Sequence, residues 1–233
     1  EARAAEAAAA AAEEEFVNPA TGSVHRWALG RASVVAAVEA VGKGELVVVT
    51  DDECRENEGD LIMAAEKCTP ETMAFVVRHT GGVICAALES DALDRLELPQ
   101  MVALNQDAKG TAFTVTVDCL VDTTTGISAT DRATTMRALA NPNTTPDMLQ
   151  RPGHVFPLRA REGGVLTRNG HTEATVDLCR LAGCESVGLL SEIVTADSVG
   201  MARMPEIAAF CEEHGLVLTT IEDMICYRLS EGV

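Results

Sequence analysis

Residues 45–66 read ELVVVTDDECRENEGDLIMAAE: two apolar runs separated by a turn that carries six carboxylates and one arginine in positions 51–60. The flanking runs are rich in Val, Leu and Ile and read as strands, while Asn57, Glu58 and Gly59 form the turn. So short a connection makes a hairpin, because parallel neighbours need a crossover of a dozen residues or more. The sheet is therefore expected to mix antiparallel and parallel pairs. Outward from the hairpin, helical and extended patterns interleave. Thr69-Pro70-Glu71 opens a helix with a capping residue, a proline in its first turn and an acid beside it, and Gly81-Gly82 closes it. VICAAL (83–88) reads as a buried strand, Ser90 starts a short helix, AFTVTVDC (112–119) alternates as a strand, and Asp131 to Ala140 is helical. GGVLT (163–167) reads as a further strand and Thr172 as the cap of a helix ending at Gly183. VGLLSEIV, a helix from Met204 to His214, LVLTT and a helix IEDMICYR complete a layered domain without internal repeats.

The 233 residues suit one large domain with a sizeable core, and with 47% hydrophobic but 3% aromatic residues that core is built from Ala, Val, Leu and Ile. A net charge of −18, without a basic cluster, opposes binding to phosphate backbones and excludes nucleic acid as an expected partner. An anionic small molecule remains compatible, provided a few cations and a metal ion concentrate positive charge in its pocket. The eight cysteines include no C-x-x-C pair, which fits a reduced chain in the cytoplasm. No apolar run is long enough for a membrane span, and AAEAAAAAAEEE (4–15) lacks the basic and Leu-rich parts of a signal peptide. That stretch is expected to be an exposed helix or a frayed extension without function.

Six acids on one turn repel one another unless a cation or a proton neutralises them. An EF-hand is ruled out: aligning its obligatory glycine on Gly59 puts Cys54 at the first ligand position and Ala65 at the twelfth. Magnesium, which takes hard oxygen ligands and completes its shell with waters and substrate oxygens, suits the turn. A second informative stretch, GGVLTRNGHTEATVD (163–177), brings Arg168 to a helix N-terminus, an arrangement that binds a phosphate monoester. His171 at its edge becomes a metal ligand only jointly with the acidic turn, since HTEAT is not a zinc motif. Glu192 stands in VGLLSEIV, whose apolar residues occupy both strand faces, so the strand is expected to be central and the carboxylate kept for proton transfer. No P-loop, G-x-G-x-x-G or G-x-S-x-G motif occurs.

DDECRENEGDLIMAAE, RHTGGVIC, GTAFTVTVD, TTTGISATDRATT, RPGHVFPLRAREGGVLTRNGHTEATVDL, MARMPEI and TIEDMICYR resemble, in order and spacing, the 3,4-dihydroxy-2-butanone-4-phosphate synthase family over about residues 28–229. The resemblance implies an α+β fold, a three-layer domain around a mixed, twisted β-sheet, in a homodimer. It implies a lyase of riboflavin biosynthesis that converts ribulose 5-phosphate to formate and 3,4-dihydroxy-2-butanone 4-phosphate with magnesium; manganese is expected to substitute, at two ions per active site. On this resemblance Glu56 and His171 ligate metal, and Arg55, Glu56, Asp60, Arg168, Thr172 and Glu192 hold substrate. His154 and Glu192 match essential acid–base positions, Asp51, Glu58 and Cys85 match further pocket positions, and the loop from Thr125 to Ser128 closes on the sugar.

Cys54 stands where relatives often carry an acid, and TADSVGMAR (195–203) departs from the turn usual before MAR. Many relatives continue into a GTP cyclohydrolase II domain. With the last residue at Val233, a single activity is the expectation, from one catalytic domain over 28–233 behind an extension at 1–27. Two other classes use similar parts: a metal-dependent isomerase or aldolase of another phosphosugar, and a metal-binding module without turnover.

Overall fold

The computed structural model describes residues 14–233. Most of the Ala-rich run of 4–15 lies outside the described residues. A small hairpin, β1 (Glu15–Val17) with β2 (Val24–Arg26), precedes helix α1 (Arg31–Lys43). The main sheet then begins with β3 (Val47–Thr50) and β4 (Gly59–Ala64), followed by α2 (Pro70–His79), β5 (Cys85–Leu88), α3 (Ser90–Arg95) and β6 (Val117–Cys119). The chain continues through α4 (Ala129–Ala140), β7 (Leu149–Arg159), α5 (His171–Leu181), β8 (Val187–Glu192), α6 (Met204–His214), β9 (Val217–Thr220) and α7 (Ile221–Glu231).

Seven strands form one sheet in the order β6-β7-β5-β8-β4-β3-β9. The β3/β9 and β5/β7 pairs are parallel and the remainder antiparallel, so the sheet is mixed, as the short acidic turn required. Alternate strand residues feed two separate cores. Val48, Leu61, Met63, Ala86 and Leu189 pack on the side of α2, α3, α4 and α6. Val47, Val49, Ile62, Ala87 and Leu190 pack on the side of α1, α5 and α7. Both faces are covered, which is why the strands read as unbroken apolar runs rather than alternating ones. The three layers of the α+β expectation are present. Each fully buried Leu, Ile or Met in these cores contributes roughly 1.5–3 kcal/mol of transfer free energy.

Local chemistry explains the boundaries. The Thr69 hydroxyl accepts from the Thr72 amide at 3.2 Å, and the Thr72 hydroxyl accepts from the Thr69 amide at 2.9 Å, closing a capping box with Pro70 at the first helical position. Three details differ from the sequence reading. Residues 163–167 are not a strand: Gly163 (φ 89°) and Gly164 (φ 62°) adopt left-handed backbone, and a 3₁₀ turn spans Gly164–Leu166. Gly164 is required there because a Cβ would collide with the buried carboxylate of Asp177. Helix α5 starts at His171, one residue before the expected cap, and Gly170 caps it without a side chain, leaving the first-turn amides free. Regular pairing in 112–119 is confined to β6, with isolated bridges Phe113↔Leu158 and Gln100↔Thr114 before it.

Residues 15–26 are folded onto the body of the molecule. The rings of Phe16 and Trp27 meet edge to face with centroids 5.7 Å apart, and His25 bonds Glu222 of α7 at 3.0 Å. Among the described residues no helix is long and apolar enough to cross a membrane. All eight cysteines are free.

Candidate active site

The acidic turn is organised by Asp51. Its Oδ2 accepts the Glu56 amide at 3.0 Å and its Oδ1 the Glu58 amide at 2.9 Å, while Arg55 reaches back to Oδ2 at 2.8 Å. Asn57 sits at φ 55°, a left-handed conformation that asparagine tolerates better than most residues. Because both Asp51 oxygens are engaged, the turn presents Glu56 and Glu58 outward and Asp60, at the start of β4, inward.

These groups line a cleft of about 210 Å³ between the ends of β4, β5 and β8 and the N-terminus of α5. Of the residues singled out in the sequence, Arg55, Glu56, Glu58, Asp60, Cys85, Arg168, His171, Thr172 and Glu192 all line it. Asp51 lies beneath the turn. His154 does not line the cleft: it sits on β7 with its Nδ1 2.7 Å from Asp118 Oδ2. The loop from Thr125 to Ser128 is likewise absent from the lining, its Gly126 packed on the Asp118–His154 pair.

At the mouth, two guanidinium groups converge. A Cβ on Gly170 would collide with Arg168 Nη1 and stand 3.0 Å from Arg55 Nη2, so both cations and the free amides of α5 surround one point. Arg168 is held there by Glu173 at 2.5 Å and by the Lys109 carbonyl and Thr111 hydroxyl at 3.2 Å. This is an anion site built from charge and oriented amides together.

Deeper in the cleft the charge is negative. Asp60 is buried in register with Glu192 across the β4/β8 ladder. Burial pushes its carboxyl up to about 7, with the charges of Glu192, Glu56 and Glu58 adding to the effect and His171 opposing it. Burial alone would depress the imidazole of His171; the charge of Asp60, the Glu56 hydrogen bond and the charge of Asp51 outweigh it and raise it to about 9. Glu56 falls to about 2 through its hydrogen bond to His171 and the charge of Arg55, against the opposing effect of burial. Cys85 is buried in the wall, and desolvation raises its thiol well above the usual value, so it presents a protonated S–H rather than a nucleophilic thiolate.

The donor set fits a divalent cation. Ligand atoms of Asp51, Glu56 and His171 lie within 4.8 Å of one another. His171 Nε2 and Asp60 Oδ1 are buried without any hydrogen-bond partner. Orphaned polar atoms of this kind call for a ligand. Both Asp51 oxygens are engaged by amides, whereas Glu56 accepts from Arg55 at Oε2 alone and keeps Oε1 free of hydrogen bonds among the described residues, so Glu56 and His171 are the pair best able to hold an ion, and carboxylate plus imidazole suits magnesium or manganese.

Several participants gave no sequence signal. Asp107 and Thr111 line the cleft, Lys109 bonds the Arg55 carbonyl at 2.6 Å, and Arg203 bonds the Glu56 carbonyl at 2.7 Å and faces Glu58 at 3.5 Å. Arg203 belongs to the MAR triplet, the one hint available.

A mouth of two guanidinium groups and free amides above a carboxylate–imidazole cluster has the chemistry to hold an oxygen-rich, anionic small molecule beside a divalent ion. Residues 35–227 match the family profile described as 3,4-dihydroxy-2-butanone 4-phosphate synthase, and the chain belongs to that family. It is 57% identical over 196 residues, 84% of its length, to the riboflavin biosynthesis protein RibBA of Salinispora tropica, and covers 49% of that protein. It is 53% identical over 201 residues, 85% of its length, to a probable bifunctional riboflavin biosynthesis protein of Oryza sativa, covering 37% of it. A solved structure of 3,4-dihydroxy-2-butanone 4-phosphate synthase in complex with two magnesium ions superposes with a TM-score of 0.82 at 51% identity, covering 85% of this chain and 98% of that one. The chain thus spans about half the length or less of the curated relatives it matches. An expectation of a single activity, resting on Val233, does not follow from a match to part of longer proteins.

Proposed function

We propose that this chain converts D-ribulose 5-phosphate to L-3,4-dihydroxy-2-butanone 4-phosphate and formate, a precursor step of riboflavin biosynthesis, from a single catalytic domain over 28–233. The observation that carries the reading is the meeting of Arg55, Arg168 and the uncapped α5 N-terminus beside Glu56, Asp60 and His171. The phosphate occupies the mouth, where guanidinium groups and backbone amides match its oxygens. The sugar hydroxyls extend inward to Asp60, Thr172 and Glu192.

Glu56 and His171 hold magnesium, for which manganese substitutes. We place two ions in the site; a solved relative is described as a complex with two magnesium ions. When bound, the metal polarises neighbouring sugar oxygens and lowers the barrier to proton loss beside the ketone. Glu192, at the open end of β8, takes and returns protons within the cleft, and Glu58 stands close enough to assist. Asp51 acts through the turn it shapes, and Cys85, paired with Leu190 on the neighbouring strand, excludes water from the wall beside Glu192. His154 transfers protons as well; since it does not line the cleft of its own chain, that role calls for a second copy, in keeping with a homodimer. We place the enzyme in the cytoplasm.

The test is a coupled assay for formate with ribulose 5-phosphate, with and without magnesium. Formate and the four-carbon phosphate in equal amounts support the reading. Another phosphosugar product, or metal binding without turnover, overturns it.

A further inference from the structure

We infer that Asp118 is the positioning residue for His154, fixing the proton of its imidazole on Nδ1 and leaving Nε2 to accept a proton from substrate. The inference rests on the proposed role of His154 and adds to it Asp118, the last residue of GTAFTVTVD, which had been assigned no role.

Asp118 uses both carboxylate oxygens on the same residue. Oδ1 accepts the backbone amide of His154 at 2.8 Å, and Oδ2 lies 2.7 Å from its ring Nδ1. The carboxylate side chain is 6% exposed and the imidazole 41% exposed, so the pair runs from the interior to an open surface. Two glycines make this approach possible. A Cβ on Gly153 would collide with the Val117 and Asp118 backbone, at the point where β6 shifts register against β7. A Cβ on Gly126 would collide with the Asp118 carboxylate and stand 2.7 Å from Nδ1. Gly126 is pinned there, its amide donating to Asp131 at 3.0 Å. Nδ1 is therefore sealed between Asp118 and the Gly126 backbone, while Nε2 is neither buried nor bonded within the described residues. Arg132, buried and without a partner at Nε, is attracted by charge to the same carboxylate.

A carboxylate can only accept from Nδ1, so the neutral ring carries its proton there and its lone pair on Nε2. Nε2 takes one proton from the substrate, the imidazolium so formed is stabilised by the adjacent carboxylate, and the same proton returns to substrate before release. Proton count and charge balance over the cycle.

Asp118→Asn inverts this arrangement. Its amide oxygen is required by the His154 backbone amide, so its NH₂ faces Nδ1 and favours the Nε2–H tautomer. We expect nitrogen-15 spectra of His154 to show Nδ1–H in the unsubstituted enzyme and Nε2–H in the variant. Turnover should fall by about 100-fold or more, with KM for ribulose 5-phosphate changed less than about threefold. An Nε2–H tautomer in the unsubstituted enzyme overturns the inference even if the variant fails to fold, and so does an unchanged kcat in a variant that folds. His154→Ala separates the two layers: undiminished turnover there places the fault in the role given to His154, whatever the tautomer.

Discussion

Asp60 and Glu192 occupy directly opposed positions on β4 and β8, two acids in register at the centre of the sheet. With Asp60 raised to about 7 and His171 to about 9, the metal-free cluster carries an imidazolium at neutral pH, 3.6 Å from Glu56 and 3.8 Å from Asp60. A divalent ion bound by His171 must displace that proton. Magnesium or manganese affinity should therefore rise about tenfold per pH unit between 7 and 9, with roughly one proton released per ion from this group. Calorimetry in two buffers of different ionisation enthalpy measures both, and pH-independent affinity would remove His171 from the ligands.

The same group governs stability without metal. A raised histidine stabilises the fold fully below its ordinary value of 6.5 and loses that contribution as pH rises through about 9. The advantage of the unsubstituted protein over His171→Ala in chelator should thus shrink by on the order of 3 kcal/mol from pH 6 to 10. Urea titrations of the pair at several pH values give the difference directly.

Arg168 pairs with the buried Glu173 and is the phosphate ligand we propose. Arg168→Met should weaken substrate binding by roughly 10–150-fold through loss of a charge-assisted hydrogen bond worth about 1.5–3 kcal/mol. It should also lower thermal stability by exposing Glu173 as an unpaired buried charge. Adding Glu173→Gln should restore stability without restoring affinity. Recovery of both together would move the phosphate elsewhere.

Glu192→Gln keeps the shape of the side chain and removes its ability to take up a proton at neutral pH. The variant is expected to bind ribulose 5-phosphate and release no formate. Parallel calorimetry and formate assays decide it, and normal turnover would take Glu192 out of the mechanism.

The site was legible where function is written into local pattern. The hairpin, the helix start behind Arg168 and the two-sided burial of β8 each follow from short stretches, and together they bring eight of the named residues into one cleft, with Cys85 of β5 the ninth. The misreadings have physical causes. GGVLT mimics a strand because valine, leucine and threonine favour one, yet two left-handed glycines and the Asp177 carboxylate impose a 3₁₀ turn. Lys109 and Arg203 bond the acidic turn from 54 and 147 residues away, contacts that only the assembled sheet creates. The position of His154, beside Asp118 and outside the cleft of its own chain, is likewise set by strand pairing and not by its motif.

The strand order has a consequence for how the chain is made. β8 lies between β5 and β4 although it is synthesised after both. Until residue 192 has left the ribosome, β4 with β3 and β5 with β7 are two separate ribbons, each with an unsatisfied, strongly apolar edge. Neither can close its layer against the helices already made, because α5 and β8 complete the packing between them. Assembly therefore waits on β8 and is dominated by long-range pairing, which folds slowly. Nascent chains stalled before β8 should be the form most dependent on chaperones, and those released just past β9 the first to hold native structure.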